Sequence, residues 1–181
     1  MERFIKGEQV FDGRLLKVFR DEVSVEETRT AVREYIRHRG AVCVAPLDGE
    51  GRLWFVRQYR YAIGRYTVEL PAGKLEEGED PLDSALRELS EETGFSAASI
   101  EKLGSLFPSP AYTTEEIHLY LATGLSAGEQ HPDEDEFLQL FPLPLEEAVE
   151  KVLNGEIKDA KTQTMILMIH EYIRRQDRCL C

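Results

Sequence analysis

Cysteine is scarce in this chain, with three among 181 residues: Cys43, Cys179 and Cys181. An odd number, two of them within the last three residues, does not form a disulfide framework. The cysteines also lack the paired Cys or His spacing that a zinc site requires. Cys43 lies in an apolar run and is predicted to be a small buried side chain. The cysteine content therefore argues against both a disulfide-stabilised scaffold and a zinc module.

Positive charge is also in short supply, because 22 Lys and Arg residues face 34 Asp and Glu residues, which gives a net charge of −12. A chain of this charge is not expected to bind nucleic acid or an anionic membrane non-specifically. An anionic substrate would need a positive mediator, and a metal ion is the simplest one. Any anionic partner is thus expected to come with a cation.

Long hydrophobic runs are missing as well. The longest strongly apolar stretch near the C-terminus, MILMI at 165–169, is far too short to span a bilayer. The first 13 residues, MERFIKGEQVFDG, have no continuous apolar segment of the kind found in signal peptides. The sequence therefore predicts a cytoplasmic protein without a membrane partner.

What the chain does have is an acidic segment, residues 73–95, with six glutamates, two aspartates and only two positive charges. The same segment has the pattern of an amphipathic helix at about 81–93. Asp80 is its predicted N-cap, Pro81 suits the first helical position, and Gly94 supplies the stop. The residues predicted to form its buried stripe recur at helical spacing: Leu82, Ala85, Leu86 and Leu89.

Three glutamates of this helix are neighbours, since Glu91 and Glu92 follow Glu88 at i+3 and i+4. Like charges at this spacing cost a few tenths of a kcal/mol per pair unless something compensates. A solvated acidic face tolerates that cost, whereas Mg²⁺ removes it by binding carboxylate oxygens. Arg87, four residues before Glu91, could hold one carboxylate in position. Spacing alone leaves both interpretations open.

The rest of the chain shows strands with helices inserted among them and no regular βαβ alternation, which favours an α+β or mixed-sheet sandwich. Asp-Gly at 12–13 predicts a hairpin near the N-terminus, and the runs 41–47 and 53–56 predict a second hairpin in a central sheet. The remaining predicted strands are 66–73, 100–109, 116–125 and 137–143, and the remaining helices are 145–154 and 161–176.

The acidic segment resembles the Nudix box, which reads Gly, five residues, Glu, seven residues, then Arg-Glu-aliphatic-any-Glu-Glu-any-Gly-aliphatic. The matching positions are Gly73, Glu79, Arg87, Glu88, Leu89, Glu91, Glu92, Gly94 and Phe95. This resemblance makes a solvated acidic face the weaker interpretation. It implies a Nudix-type α/β/α sandwich with a mixed β-sheet, and the hydrolysis of a nucleoside diphosphate linked to another group.

The flanks of the box look like the bacterial ADP-ribose pyrophosphatase branch of that family. The motifs are Gln-Tyr-Arg at 58–60, Glu-Leu-Pro-Ala-Gly at 69–73 and a loop at 109–115. In that loop Ala111 stands where a Gly is common. The implied substrate is ADP-ribose, cleaved to AMP and ribose 5-phosphate, or a related nucleoside diphosphate sugar.

The resemblance also assigns roles to individual residues. Metal ions, Mg²⁺ with Mn²⁺ as the alternative, would be held by the carboxylates and one carbonyl of Ala72, Glu88, Glu91 and Glu92. The catalytic group would comprise a distant loop acid, Glu136 or as second candidate Glu134, together with Arg87 and Glu91. The predicted substrate-binding residues are Arg57 and Arg60 at the phosphates, together with Glu69, Pro110 and Tyr112.

The predicted domain organisation has an N-terminal strand element at 1–40, a Nudix domain at 41–177 and a short tail at 178–181. The first element resembles the segment that enzymes of this branch exchange between protomers, which implies a homodimer. Phe11, Phe19 and Tyr35 are predicted to pack in the core, and stacking on adenine is the alternative.

Two other functions stay open. Another nucleoside diphosphate derivative could be the substrate, or the domain could sense a ligand without turnover. The second of these expects lost box glutamates, and this chain retains every one.

Overall fold

The computed structural model describes residues 1–26, 28–131 and 137–179, with side chains up to residue 176. Clustering of contacts along the chain separates two units. The first comprises Met1–Gly40 and Phe107–Glu116, and the second comprises Ala41–Leu106 and the residues from Ile117 onward. Each unit has its own sheet structure, and they are described in turn.

The first unit is a three-stranded antiparallel sheet of consecutive strands: β1 (Glu2–Asp12), β2 (Lys17–Val25) and β3 (Arg29–Ile36). The predicted turn at Asp12-Gly13 is confirmed, because it joins β1 to β2 and the Gly13 amide donates to the Leu16 carbonyl at 3.0 Å. The segment 107–116 runs along β3, where the Ile36 amide donates to the Tyr112 carbonyl at 2.8 Å.

Aromatic side chains of this sheet only partly follow the prediction. Phe19 and Tyr35 stack on each other with ring centroids 5.7 Å apart, and the Arg37 guanidinium lies 4.0 Å from the centre of the Phe19 ring. Phe11, which was predicted to pack in the core, is instead exposed. It lies on β1, an edge strand that is exposed along its whole length, so no second layer covers it within the unit.

The second unit contains two sheets. A four-stranded mixed sheet has the order β7-β4-β9-β8, in which β4 and β9 are parallel and the other pairs are antiparallel. Its strands are β4 (Ala41–Pro46), β7 (Ala72–Lys74), β8 (Phe95–Leu106) and β9 (Ile117–Ala127). An antiparallel sheet of order β10-β5-β6 contains β5 (Arg52–Arg60), β6 (Arg65–Glu69) and β10 (Gln139–Pro144).

Two strand predictions are wrong in this unit. The expected hairpin of 41–47 with 53–56 does not form, since β4 and β5 belong to different sheets and share only a bridge between Leu47 and Leu53. The predicted strand 66–73 is two strands, β6 and β7, in different sheets. Pro71 lies at the break, where a residue without an amide hydrogen cannot continue a ladder.

The helices are α1 (Pro81–Thr93), α2 (Leu145–Leu153) and α3 (Ala160–Cys179), which confirms all three predicted helices. Alternate residues of β4 pack in opposite directions. Ala41, Cys43 and Ala45 join a cluster with side chains of α2 and α3, whereas Val42 and Val44 pack against Ala85 and Leu89 of α1. The mixed sheet therefore lies between helices on both faces, which is the predicted α/β/α sandwich.

Burial on both faces also explains why β4 is an uninterrupted apolar run. Cys43 is fully buried in it, as predicted. Among the described residues, no helix is both long and apolar enough to cross a membrane.

Candidate active site

Helix α1 begins and ends where its local signals predict. The Leu82 amide donates to the Asp80 carboxylate at 2.8 Å, so Asp80 is the N-cap. At the other end Gly94 adopts φ 72° and its amide donates to the Ser90 carbonyl at 2.8 Å. The caps fix where α1 begins and ends. The rotation of α1 about its own axis then decides which side chains face the sheet.

That rotation differs from the predicted one. Ala85 and Leu89 are buried as expected, but Leu82 and Leu86 are about 40% exposed, which corrects the predicted stripe. Glu88 and Glu92, at 8% and 4% exposure, lie on the buried face instead. Because Ala85 and Leu89 face β4, Glu88 and Glu92, which follow Ala85 at i+3 and i+7, face inward as well. The two acids are therefore not part of a solvated face.

Both buried acids contact strand β7. The Glu92 carboxylate accepts a hydrogen bond from the Ala72 amide at 3.2 Å. The Glu88 carboxylate fills the space where a β-carbon on Gly73 would lie, so a side chain at position 73 would displace Glu88. β7 in turn pairs with β4, through Ala72 opposite Cys43 and Gly73 opposite Val42. Strand and helix thus form an oxygen-lined cradle, defined here as Ala72, Gly73, Glu88 and Glu92.

Arg87 organises the remaining acids around this cradle. Its guanidinium contacts Glu79 at 2.9 and 3.1 Å, Glu88 at 2.8 Å and Glu91 at 2.9 Å. Hydrogen bonds from Arg87 lower the pKa of Glu79 to about 2, and the bond to Glu79 is the main reason that the pKa of Arg87 is raised. The sequence predicted that Arg87 holds one carboxylate, and the structure shows that it holds three.

A second group of charges surrounds Glu69 at the end of β6. The Arg60 guanidinium binds the Glu69 carboxylate with two hydrogen bonds of 2.7 Å, from Nε and Nη2. Thr67 and Lys161 donate to the same carboxylate, and Lys161 also lies 3.0 Å from Asp159. Burial by itself would raise the pKa of Glu69, but Arg60 and Lys161 outweigh it and lower the pKa to about 2.

Strand β5 carries both predicted phosphate-binding arginines, but on opposite faces. Arg60 follows Arg57 by three positions along β5, and an odd offset places the two side chains on opposite faces. Arg60 turns to Glu69, whereas the Arg57 guanidinium lies 4.6 Å from the centre of the Tyr66 ring. The structure therefore groups Arg60 and Glu69 and leaves Arg57 elsewhere.

The remaining predicted residues belong to the first unit or fall outside the described residues. Pro110 and Tyr112 belong to the first unit. Glu134 and Glu136 lie outside the described residues. The chain just before them docks on α1: the His131 amide donates to the Glu91 carbonyl at 2.9 Å, and the Gln130 side chain donates to the Glu92 carbonyl.

Comparison with known proteins decides the family. A family model described as NUDIX domain matches residues 37–164. The chain belongs to the NUDIX family.

Relatives of this NUDIX protein match nearly its whole length. A protein of Bacillus methanolicus named methanol dehydrogenase activator is 43% identical, over 97% of this chain and 94% of its own. ADP-ribose pyrophosphatase of Bacillus subtilis is 38% identical, over 97% of each chain. The crystal structure of an ADP compounds hydrolase superposes with a TM-score of 0.86 over 98% of this chain and 96% of its own. At 23% identity that structure supports the fold alone.

The NUDIX cradle offers the ligands that hard divalent cations prefer, because its donors are carboxylate oxygens and a backbone carbonyl. Within the described ranges, no three Asp, Glu, His or Cys side chains are grouped as a ready metal site. Glu88 and Glu91 face Arg87, and Glu92 faces the Ala72 amide. The donor set fits a divalent cation, provided that Glu88 and Glu91 turn away from Arg87 to bind it.

Sequence reasoning missed Lys161 of α3, which is a partner of Glu69. Lys161 lies four residues before Met165 and eight before Ile169, both fully buried. A cation on the buried stripe of a helix is unusual and usually has a partner. That signal was available in the sequence, although the identity of the partner was not.

Proposed function

We propose that this NUDIX protein hydrolyses the diphosphate bond of ADP-ribose and releases AMP and ribose 5-phosphate. The observation that carries the proposal is the burial of Glu88 and Glu92 against β7, with Gly73 leaving room for one of them. Carboxylate oxygens gathered beside a backbone strand are the ligands that divalent cations prefer, so this grouping supports a metal-binding role. The relatives named ADP-ribose pyrophosphatase support the choice of substrate.

NUDIX hydrolases generally need a divalent cation. We propose that Mg²⁺, or Mn²⁺ in its place, is held here by Glu88, Glu92, the Ala72 carbonyl and Glu91. When bound, the cation neutralises the diphosphate and lowers the pKa of a water molecule that attacks phosphorus. Arg87 holds Glu88 and Glu91 close together, and a bound cation would take its place as their partner.

Substrate recognition is assigned to the charges at Glu69. Glu69 is buried and already has four donors on its carboxylate, so its role is to orient Arg60 rather than to touch the substrate. Arg60 is partly exposed and presents a guanidinium to the phosphates. Glu136, with Glu134 as the second candidate, stays the predicted base that orients the attacking water. Arg57, Pro110 and Tyr112 stay predicted substrate contacts.

An assay of products tests the proposal. Purified protein with ADP-ribose and Mg²⁺ is expected to release AMP and ribose 5-phosphate in equal amounts, and a chelator is expected to abolish release. GDP-mannose and ADP-sugars other than ADP-ribose serve as alternative substrates, and the proposal expects a lower kcat/KM for each. Faster turnover of another substrate would replace ADP-ribose, and the absence of turnover with the whole panel would favour a ligand-sensing role.

A second candidate function comes from the relative named methanol dehydrogenase activator, which is similar over nearly its whole length. If the present chain shares that role, adding it to a methanol dehydrogenase will raise the rate of methanol oxidation. A variant that cannot hydrolyse ADP-ribose separates the two functions. It will still activate the dehydrogenase if activation does not need hydrolysis, and will fail to do so if it does.

We also propose that the protein is a homodimer formed through its first unit. Exposed apolar residues on an edge strand favour pairing with another chain, and the edge strand of this sheet exposes Phe4, Ile5, Val10 and Phe11. A mass of twice 20.7 kDa is expected in solution at micromolar concentration. Phe4→Glu is expected to produce monomers, and Leu153→Glu, at an exposed leucine of α2, is the control. A monomer mass for the wild type would overturn the dimer.

A further inference from the structure

Lys161 is a largely buried cation in the first turn of α3. Its side chain is 12% exposed, and the Glu69 side chain that it contacts is 4% exposed. With Arg60 and Asp159 the two residues form a cluster of two cations and two anions, the charge cluster. The cluster is neutral as a whole, so each member compensates charges that would be costly if buried alone.

Each oxygen of Glu69 has two donors. Oε1 accepts from Arg60 Nε and Thr67 Oγ1, while Oε2 accepts from Arg60 Nη2 and Lys161 Nζ. The carboxylate therefore cannot rotate without losing hydrogen bonds on both sides. This arrangement commits the N–H of Arg60 Nε and one N–H of Nη2 to Glu69 and leaves the two N–H groups of Nη1 and the second of Nη2 for an incoming phosphate.

The same turn of α3 also holds the backbone beside Glu69. The Leu70 amide donates to Thr162 Oγ1 at 2.9 Å, and both groups are buried. Lys161 thus binds the Glu69 side chain, while Thr162 binds the backbone of Leu70. Residues of α3 therefore fix Glu69, the last residue of β6, and Leu70, which lies two positions before Ala72.

Loss of Lys161 would leave two anions, Glu69 and Asp159, sharing one partly exposed cation. Removing one partner of a buried ion pair leaves an uncompensated charge, which water or a moved side chain must then satisfy. Either response loosens Glu69, and Arg60 follows because two of its nitrogens are bound there.

We propose that Lys161 is a positioning residue for phosphate binding, which fixes Glu69 so that Glu69 holds the Arg60 guanidinium toward the diphosphate. This inference rests on the proposed function, because Arg60 is the proposed phosphate ligand. Lys161 itself touches no reacting atom. Its effect should therefore appear in substrate binding, and only through Arg60.

The first test compares steady-state kinetics with ADP-ribose. Lys161→Met is expected to raise KM by roughly tenfold, as for a lost charged hydrogen bond, with kcat changed less than about twofold. Lys161→Arg keeps the charge and is expected to recover most of the loss. Lys158→Met, at an exposed lysine three residues earlier, is the matched control and should change nothing. A fall in kcat without a rise in KM would overturn the assignment.

A double-mutant cycle tests whether the effect passes through Arg60. In the Arg60→Met background, adding Lys161→Met is expected to raise KM no further. An equal further rise would show that Lys161 acts on its own and would overturn the inference. If Lys161→Met does not fold, Glu69→Gln replaces it, with the same expected rise in KM and the same dependence on Arg60.

Calorimetry with inorganic pyrophosphate and Mg²⁺ separates this inference from the proposed function. Absence of ADP-ribose turnover by the wild type would reject the proposed function alone, provided that pyrophosphate still binds. Weaker pyrophosphate binding by Lys161→Met, by roughly tenfold, would then still support the positioning role. An unchanged Kd, or no binding by the wild type, would reject it.

Discussion

Replacing Glu92 by Gln is expected to lower kcat for ADP-ribose by at least about a hundredfold, a loss typical of removing one group that stabilises the transition state. Glu92 is 4% exposed and its carboxylate accepts from the Ala72 amide. Glutamine has nearly the same shape, and its carbonyl oxygen can keep that hydrogen bond. The substitution therefore preserves packing and removes one negative charge from the cation site. Steady-state kinetics at saturating Mg²⁺ measure the effect.

Thermal unfolding followed by circular dichroism checks that Glu92→Gln is folded. Glu150→Gln is the matched control, because it makes the same chemical change at an exposed position of α2. Titration with Mn²⁺, followed by electron paramagnetic resonance, adds a measurement that does not depend on turnover. Near-normal kcat in Glu92→Gln at saturating Mg²⁺ would count decisively against the metal assignment.

Gly73→Ala is the second substitution with a large expected effect, although it adds only one methyl group. The new carbon would overlap the Glu88 carboxylate, so Glu88 must move out of the cradle. A misplacement of about 1 Å at a catalytic group can cost about a hundredfold in rate. We therefore expect kcat/KM to fall by that amount and Mn²⁺ binding to weaken, while circular dichroism still shows a folded protein.

Gly49→Ala is the control for this experiment, since nothing lies within 4 Å of a β-carbon at position 49. It should leave kinetics and Mn²⁺ affinity unchanged. Gly73→Ala with kinetics within twofold of the wild type would mean that Glu88 can give way without consequence, and the cradle would then have no role in binding the cation.

Local signals were sufficient for the helix that carries the site. Asp80, Pro81 and Gly94 act within a few residues of themselves, so the predicted span of α1 matches the structure. The face that α1 buries was predicted less well, because Leu82 and Leu86 are apolar but lie on the flank of the stripe. A pattern of apolar residues cannot reveal that glutamates occupy the buried positions unless a binding role is considered as well.

Strand partners were beyond local signals. The apolar runs on either side of the turn at 48–51 look like a hairpin, yet β4 pairs with β7 and β9 instead. Pairing with a parallel neighbour far along the chain depends on packing of the whole unit. The contact between Lys161 and Glu69 was hidden for the same reason, since 92 residues separate them.

The acids of the candidate site could be predicted from the sequence because the box is a short contiguous motif with fixed spacing. Its matches in Glu79, Arg87 and Glu88 also lie together in space. Arg57 and Arg60 show the limit of reading a strand as a list of nearby charges, since the alternation of side chains sends them to opposite faces.

Strand β4 has six buried residues and pairs with β7 at Ala72 and Gly73. Segments with this much buried contact open only when the surrounding unit melts, unlike fraying ends and surface loops. The backbone of Ala72 and Gly73 is thus anchored to a region that rarely opens. The geometry of this backbone should persist until the unit melts cooperatively. The melting temperature of the fold is therefore also the expected upper temperature limit of the reaction.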